Sequence, residues 1–362
     1  MASSFTPGKP MLDTQGKRIQ AHAGGIYYLD GAYYWYGENK EFSIAGKNIW
    51  HWGVRCYRST DLYSWEDLGL IIAPDENDLS SPVHPTSMMD RPHILFNEKT
   101  GKYVCWLKIM GYNNIQTITI YSADEFLGPY TMVKTRYRPY RMSAGDFYLS
   151  KDANTGKAYY YFDKVHTSII SAELTDDYLG VSDNYTSHIE RDFPPFAREA
   201  PVHFIRKGKH YMITSGITGY KPNPSEVVVG DDYLGPFTEI GDAHPDDESR
   251  TSYGSQISEV FNVIGTDLYI AIGDRWCPDM ELVKDASKSY IERYDKSLRM
   301  LTKIMSKARV QEMIRKEKRP KRKIVVENHN TAMANYVWLP IAFVDDKPII
   351  KWYDEWKIED FI

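Results

Sequence analysis

The chain has 362 residues, of which 42% are hydrophobic and 14% aromatic, enough for one large packed domain or two smaller ones. Its formal net charge of −5 at pH 7 provides no general attraction for nucleic acid. The three cysteines are far apart without a zinc-binding spacing, and their odd number argues against a disulfide framework. No apolar run approaches the ~20 residues that a membrane helix needs.

From about residue 25 onward, a unit of two β runs joined by a glycine-containing turn recurs five times. The first copy is 25–29, the turn Asp30-Gly31 and the aromatic run 32–36, and an Asp-Gly pair between β runs predicts a hairpin. The hydrophobic anchors of the copies are about 53 to 68 residues apart, which suits four strands and their loops. These anchors are Ile26, Ile94, Phe147, Val202 and Val260.

The outer parts of the units also resemble one another. Residues 124–130 (DEFLGPY) resemble residues 231–237 (DDYLGPF), and 176–180 (DDYLG) is a shorter copy. Such self-similarity is typical of a radial repeat, and five four-stranded units predict a five-bladed β-propeller, which leaves few exposed strand edges. The predicted fold class is therefore all-β, with residues 1–362 as a single domain. A chance run of hairpins in a β-sandwich is the alternative.

Residues 284–323 depart from this pattern within the last blade. They contain 15 Lys and Arg against 5 Asp and Glu, so the rest of the chain is acidic. Apolar residues at three- and four-residue steps predict an amphipathic helix. These residues are Ile291, Tyr294, Leu298, Leu301, Met305 and Ala308. We predict that 284–323 is a basic helical insertion that packs on the propeller. An oligomer contact through 286–318 is the alternative. No nucleic-acid or membrane partner is expected.

In a propeller, the innermost strand of each blade directs its first residues toward a central cavity. The residues just before the anchors are therefore the candidates for chemistry. They are His22 and Ala23, Asp90 and Arg91, Asp146, Glu199, and Gln256. Carboxylates from different blades suit glycoside hydrolysis, in which one acid protonates the leaving oxygen while a partner holds water on the opposite face. An oligo- or polysaccharide is thus the predicted partner.

Several short motifs carry a resemblance to a known family. They are IQAHAGG at 19–25, YWYGE at 34–38, DRPH at 90–93, REAP at 198–201, SQ at 255–256, GDRW at 273–276 and YVWLP at 336–340. In these motifs the chain resembles glycoside hydrolase family 43, most closely its exo-β-1,3-galactanase branch, over nearly its whole length apart from 284–323. The resemblance implies a five-bladed propeller that hydrolyses glycosides with inversion of configuration.

The resemblance also implies roles for individual residues. Glu199 corresponds to the general acid, and Asp90 to the acidic residue that orients this acid and tunes its pKa. Most family members have an aspartate as general base where this chain has Ala23. The galactanase branch shares this loss, and there a glutamine that matches Gln256 stands in as the base or holds the attacking water. A hydrogen bond to the sugar is the alternative role for Gln256.

Eight further residues are predicted to contact the substrate near the same mouth. They are Asp146, Gln20, His22, Glu38, Arg91, His93, Arg275 and Trp276. No acidic cluster has an EF-hand spacing, so no metal or cofactor is predicted, and an axial structural cation such as calcium is the open alternative. The N-terminus lacks a signal-peptide pattern, which leaves a cytoplasmic protein or one exported with its signal removed.

The predicted function is that of an inverting exo-glycoside hydrolase that releases galactose from β-1,3-galactan, the backbone of arabinogalactan. The first alternative is an α-L-arabinofuranosidase, β-xylosidase or β-galactosidase on the same fold. The second is a non-catalytic carbohydrate-binding propeller, which the missing aspartate at Ala23 motivates.

Overall fold

The computed structural model of the protein describes residues 3–111, 115–191, 196–279, 300–301, 303–306, 309–310, 312–313 and 330–362. Within them, twenty β-strands form five four-stranded antiparallel sheets, the blades of a propeller. The predicted all-β, five-bladed architecture is therefore confirmed. The predicted helical insertion at 284–323 and its oligomer contact fall mostly outside the described residues and stay predictions.

Each blade runs in chain order from an innermost strand to an outer edge strand. Blade one comprises β1 (His22–Leu29), β2 (Ala32–Glu38), β3 (Val54–Ser59) and β4 (Glu66–Ile72). Blade two comprises β5 (Met89–Asn97), β6 (Lys102–Met110), β7 (Gln116–Ala123) and β8 (Thr131–Tyr137). Blade three comprises β9 (Ala144–Lys151), β10 (Ala158–Lys164), β11 (Ser168–Leu174) and β12 (Val181–His188). Blade four comprises β13 (Arg198–Arg206), β14 (Lys209–Gly216), β15 (Glu226–Gly230) and β16 (Thr238–Gly241). Blade five comprises β17 (Gln256–Asn262), β18 (Tyr269–Arg275), β19 (Asn335–Val344) and β20 (Lys347–Ile350).

Short 3-10 helices occur at Pro139–Arg141, Thr331–Met333 and Ile358–Asp360. No helix in the described part of the chain is long and apolar enough to cross a membrane.

The blades form a closed ring. The innermost strands β1, β5, β9, β13 and β17 contact one another in that order, and β17 returns to β1. Blades one and five are also joined by aromatic packing, because the rings of Trp35 and Trp338 lie 4.9 Å apart. The predicted anchors face the core: Phe147 and Val202 have no exposed surface. Closing the ring packs each blade against its neighbours and leaves only short, protected strand edges.

All five innermost strands shift register near their start, and three of these irregularities share a backbone feature. In β1, β5 and β13 the register with the next strand slips, and each bulge holds a residue with positive φ. These residues are Ala23 at 48°, Arg91 at 52° and Ala200 at 52°. Pro92 and Pro201 follow two of them, where a residue without an N–H is tolerated. Because bulges re-aim neighbouring side chains, the strand starts turn toward one end of the ring.

Candidate active site

One pocket of about 250 Å³ collects most of the predicted site residues and receives side chains from all five blades. Its lining residues are Ala23, Glu38, Trp50, Asp90, Arg91, Lys108, Met110, Asp146, Glu199, Gly219, Tyr220, Gln256 and Trp276. Two larger grooves, of about 650 and 570 Å³, involve blades four and five and contain none of the predicted site residues. Convergent carboxyl groups in the smaller pocket make it the candidate active site.

Glu199 has the environment of a proton donor. It is the second residue of β13, and its partner across the ladder is Ser215. Burial raises the pKa of Glu199 to about 7, and the nearby Asp146 carboxylate adds to the rise, whereas His166 and Lys108 oppose it. A carboxyl group with this pKa still holds its proton close to neutral pH, as a general acid must.

Asp146 is held in its charged form. Its Oδ2 atom lies 2.9 Å from Nε of Arg91, and its Oδ1 atom pairs with the Lys108 ammonium. Burial alone would raise the pKa of Asp146, but the two cations outweigh burial and hold that pKa well below its usual range. The pocket therefore contains two carboxyl groups, Asp146 and Glu199, whose pKa values are pushed apart, as is typical of acid–base sites.

Asp90 has different partners. Its Oδ2 atom lies 3.0 Å from Nζ of Lys108, and its Oδ1 atom accepts a 2.7 Å hydrogen bond from the Trp50 indole. Asp146 is the strongest charged influence on the pKa of Glu199, and Asp90 is not among the leading ones. The tuning role expected of Asp90 therefore moves to Asp146 in the function proposed below.

The amide of Gln256 lies between Arg91 and Glu199. Arg91 Nη2 donates a 3.0 Å hydrogen bond to Gln256 Oε1. Gln256 Nε2 donates to Ser215 Oγ at 2.7 Å and to Glu199 Oε1 at 3.4 Å. A guanidinium offers only donors, so it fixes the amide oxygen toward Arg91 and the NH₂ group toward Glu199. The role of Gln256 as a base or as the holder of the attacking water stays a prediction.

Glu38 is the carboxyl group that blade one contributes. Ala23 offers only its backbone N–H, which donates to Oδ2 of Asp274 at 3.0 Å. Glu38 Oε1 accepts the backbone N–H of Arg91 at 2.9 Å, and Glu38 Oε2 lies 2.6 Å from Nζ of Lys40. Burial raises the pKa of Glu38 to about 7 against the opposing charge of Lys40. Blade one thus supplies a titratable group beside the position where the chain has alanine.

The family model for glycosyl hydrolases family 43 matches residues 26–256, which is more than half of the chain. The chain belongs to glycosyl hydrolase family 43. It is a glycoside hydrolase, and inversion of configuration is a property of its family. A comparison with curated proteins finds no match.

Solved structures of this family resemble the chain over nearly its full length. A family 43 β-1,3-galactosidase shares 28% identity at a TM-score of 0.76, over 100% of this chain and 65% of that protein. A second β-1,3-galactosidase, solved with galactodeoxynojirimycin, shares 24% at a TM-score of 0.74, over 98% and 100%. The exo-β-1,3-galactanase from Phanerochaete chrysosporium, solved with β-1,3-galactotriose, shares 20% at 0.74, over 98% and 68%. The chain thus spans about two thirds of the first and third of these proteins.

In this family 43 protein, aromatic side chains form part of the pocket wall. The ring of Tyr220 lies 6.1 Å from that of Trp50 and 5.4 Å from that of Trp276. The Lys40 ammonium lies 4.7 Å from the centre of the Trp50 ring. Apolar faces next to carboxylates suit a sugar, which presents C–H faces and hydroxyl edges. Trp52, the other tryptophan of this loop, packs on Phe42 instead.

The structure does not bring Gln20 and His22 to the pocket. His22 is fully buried, and its Nδ1 atom lies 2.9 Å from Oδ1 of Asp274. Gln20 is also buried, and its Nε2 atom donates to the backbone oxygen of Ala332 at 3.2 Å. Both side chains connect the start of blade one to blade five, His22 through Asp274 of β18 and Gln20 through the segment just before β19. The positive φ of Ala23, the residue after His22, changes the direction of the chain. The side chains of Gln20 and His22 therefore point away from the pocket.

His93 and Arg275 also lie outside the pocket. His93 is buried, and its ring packs against Tyr148 of blade three at 4.6 Å. Arg275 donates from Nη2 to the backbone oxygen of Tyr253 at 2.6 Å, and its guanidinium lies over the Trp352 ring. These two predicted substrate contacts therefore serve packing between segments. The next residue after Arg275, Trp276, does line the pocket.

Sequence reasoning missed Lys108, the cation between two pocket carboxylates. Lys108 lies opposite Asp90 in the β5–β6 ladder and is 5% exposed. The available signal was its place in an otherwise apolar run of β6, because a buried lysine almost always has a charged partner. Tyr220 was missed as well; it lies in the loop after β14, where no periodic pattern marks it.

Among the described residues, Asp163, His166 and Glu199 have the mutual spacing of metal ligands. One ligand atom of each lies within 4.8 Å of the others. Asp163 and His166 already bond each other, with 2.8 Å between Oδ2 and Nδ1. We therefore regard Asp163 and His166 as neighbours of the acid and assign no metal. The expectation of no cofactor stays a prediction.

Proposed function

We propose that the protein is an exo-acting, inverting hydrolase that releases galactose from the end of β-1,3-galactan. The observation that carries this proposal is a pocket of only about 250 Å³ that contains the protonated-acid environment of Glu199. This volume lies below the ~300–1,000 Å³ typical of ligand sites, which suits one terminal sugar ring rather than a chain passing through. Similar structures named as β-1,3-galactosidases and an exo-β-1,3-galactanase support galactose as the sugar.

Glu199 is the proposed general acid. It donates its proton to the glycosidic oxygen while the bond to the terminal sugar breaks. Asp146 keeps its negative charge because Arg91 and Lys108 pair with it, and this charge helps Glu199 to retain its proton until the transition state. The two cations therefore act on the acid through Asp146.

Gln256 is the proposed holder of the attacking water. In inverting glycosidases the acid and base carboxyl groups stand ~6.5–9.5 Å apart, which leaves room for the water. Gln256 Nε2 and Glu199 Oε1 are 3.4 Å apart, which leaves no room for a water between them. We propose that the terminal sugar inserts between them and breaks this contact. Arg91 then keeps its bond to the amide oxygen, so that the displaced NH₂ group stays on the water side.

The attacking water must also lose a proton. Blade four contacts blades three and five, so blades one and two lie across the ring from Glu199. Both pocket carboxyl groups on those blades are paired, Asp90 with Lys108 and Trp50 and Glu38 with Lys40 and the backbone N–H of Arg91. Glu38 has a pKa of about 7, close to the value that suits a general base at neutral pH. We propose that Glu38 accepts the proton of the attacking water.

Product analysis tests the proposal. The protein is incubated separately with β-1,3-galactan and with arabinoxylan, and ¹H NMR follows the first sugar released. We expect monomeric galactose from galactan, formed first as the α-anomer because inversion converts a β-linkage into an α-product. Release of arabinose or xylose would identify another specificity on this fold. Calorimetric binding of galactan without any release of sugar would show a carbohydrate-binding propeller instead.

A further inference from the structure

An aspartate and a histidine of blade three form a built-in pair beside Glu199. Asp163, near the end of β10, is fully buried, and its Oδ2 atom lies 2.8 Å from Nδ1 of His166. Gly145 leaves room for this carboxylate, because a Cβ atom at that position would lie 2.6 Å from Asp163 Oδ2. The local packing of blade three thus accommodates the pair.

The pair reaches the proton-donating carboxyl group. A ring nitrogen of His166 and carboxylate oxygens of Asp163 and Glu199 all lie within 4.8 Å of one another. A single bridging water spans such a distance. The His166 side chain is 24% exposed and that of Asp163 only 1%. The ring therefore connects a buried carboxylate, the acid and the solvent.

Charged groups from blades two and three face Glu199. Asp146 and Asp163 supply negative charge, whereas His166 and Lys108 supply positive charge. Asp146 and Lys108 are committed to each other in an ion pair, so Asp163 and His166 form a second, separate pair. A protonated carboxyl group can rotate about its terminal bond, and proton donation requires its O–H to point at the leaving oxygen. A ring fixed by a buried carboxylate restricts that rotation.

We propose that Asp163 and His166 are positioning residues for the general acid: Asp163 fixes the His166 ring, and the ring orients the Glu199 carboxyl group toward the leaving oxygen. This inference rests on the proposed role of Glu199. Because both residues act through Glu199, they matter for leaving groups that require a proton. They are dispensable for a leaving group that departs as a stable anion.

The substitution His166→Gln tests this role on two substrates. On β-1,3-galactobiose we expect kcat to fall about 10- to 100-fold with little change in KM. On 2,4-dinitrophenyl β-D-galactoside we expect a change of less than about 3-fold, because the dinitrophenolate leaves without protonation. His188→Gln is the matched control, since His188 bonds Thr186 on the outermost strand of the same blade. Equal losses on both substrates, or no loss on either, would overturn the positioning role.

A second measurement reads the contact without a substrate. ¹³C NMR follows the titration of the Glu199 carboxyl group in the wild type and in His166→Gln. Replacing an ionisable ring by a neutral amide should move the titration midpoint upward by about half a pH unit or more. An unchanged midpoint would overturn the proposed contact between His166 and Glu199, even if the wild type hydrolyses galactan. Failure of the wild type to hydrolyse either substrate would overturn the proposed function, and with it the catalytic meaning of the pair.

Discussion

The Nε2 atom of Gln256 lies 3.4 Å from Oε1 of Glu199, so the proposed water-holding amide and the proposed acid are in contact. The same amide accepts a hydrogen bond from Arg91, whose Nε atom pairs with Asp146. Arg91 therefore connects the water side of the pocket with the charge that tunes the acid. A sugar that separates Gln256 from Glu199 leaves both bonds of Arg91 in place.

The substitution Glu199→Gln keeps the shape of the acid and removes its proton. We expect kcat on β-1,3-galactobiose to fall about 10²- to 10⁴-fold, the usual contribution of a general acid. Hydrolysis of 2,4-dinitrophenyl β-D-galactoside should fall far less, because its leaving group needs no proton. Circular dichroism and thermal unfolding should match the wild type. Near-wild-type turnover of galactobiose would disprove the assignment.

Gln256→Glu places a second carboxylate beside Glu199. A like charge at this distance disfavours ionisation of Glu199 and raises its pKa further, although Arg91 offsets part of the effect. The basic limb of the kcat/KM profile, where the acid loses its proton, should therefore move upward by about 0.5 to 1 pH unit. The uncharged Gln256→Met is the control and should leave this limb in place while lowering the rate. A basic limb that stays put in Gln256→Glu would show that Gln256 does not face the acid.

Azide separates the proposed roles of Glu38 and Glu199. Glu38→Ala removes the group that takes the proton of the water, and azide is a nucleophile that has no proton to lose. We expect azide to restore at least about 10-fold of the lost rate and to yield α-galactosyl azide, the inverted product. Glu199→Gln is the control. This variant lacks the proton that the leaving group needs, and azide cannot supply a proton, so azide should not restore its rate. Absence of the azide product would move the base role away from Glu38.

The blades could be predicted from the sequence because anchors such as Phe147 and Val202 repeat at positions that must be buried to close the ring. The place of Glu199 in the pocket was predictable as well, since its blade position and its motif agree. The partners of the acid were not, because bulges shift the register and decide which side chains turn into the pocket. Lys108 became a site residue only through its ladder position opposite Asp90. His22, next to the bulge in β1, points into the core instead.

Lys108→Met leaves two buried carboxylates without their shared cation. Lys108 pairs with Asp90 at 3.0 Å and also with Asp146. Breaking a buried ion pair from one side costs about 3–5 kcal/mol of unfolding free energy, which urea unfolding at pH 7 measures. Lys102→Met on the same strand is the control, because its ion pair with Asp124 is exposed, and it should change stability by less than about 0.5 kcal/mol. Equal effects of the two substitutions would contradict the buried charge cluster.

Glu259, buried in β17, should make the stability of the fold depend on pH. Burial raises its pKa to about 8, and its Oε1 atom accepts a hydrogen bond from the Tyr148 hydroxyl. A folded-state pKa above the unfolded value of 4.5 means that the bound proton stabilises the fold fully below pH 4.5, and that this stability is lost as pH rises through 8. Between pH 5 and 9 the wild type should lose unfolding free energy as Glu259 ionises. Glu259→Gln should make this loss smaller by roughly 2–4 kcal/mol, at about 1.4 kcal/mol per pKa unit. Urea unfolding at several pH values, with Glu66→Gln on the exposed face of β4 as control, measures it. Parallel stability–pH curves for Glu259→Gln and the wild type would show that this carboxyl group does not titrate with the fold.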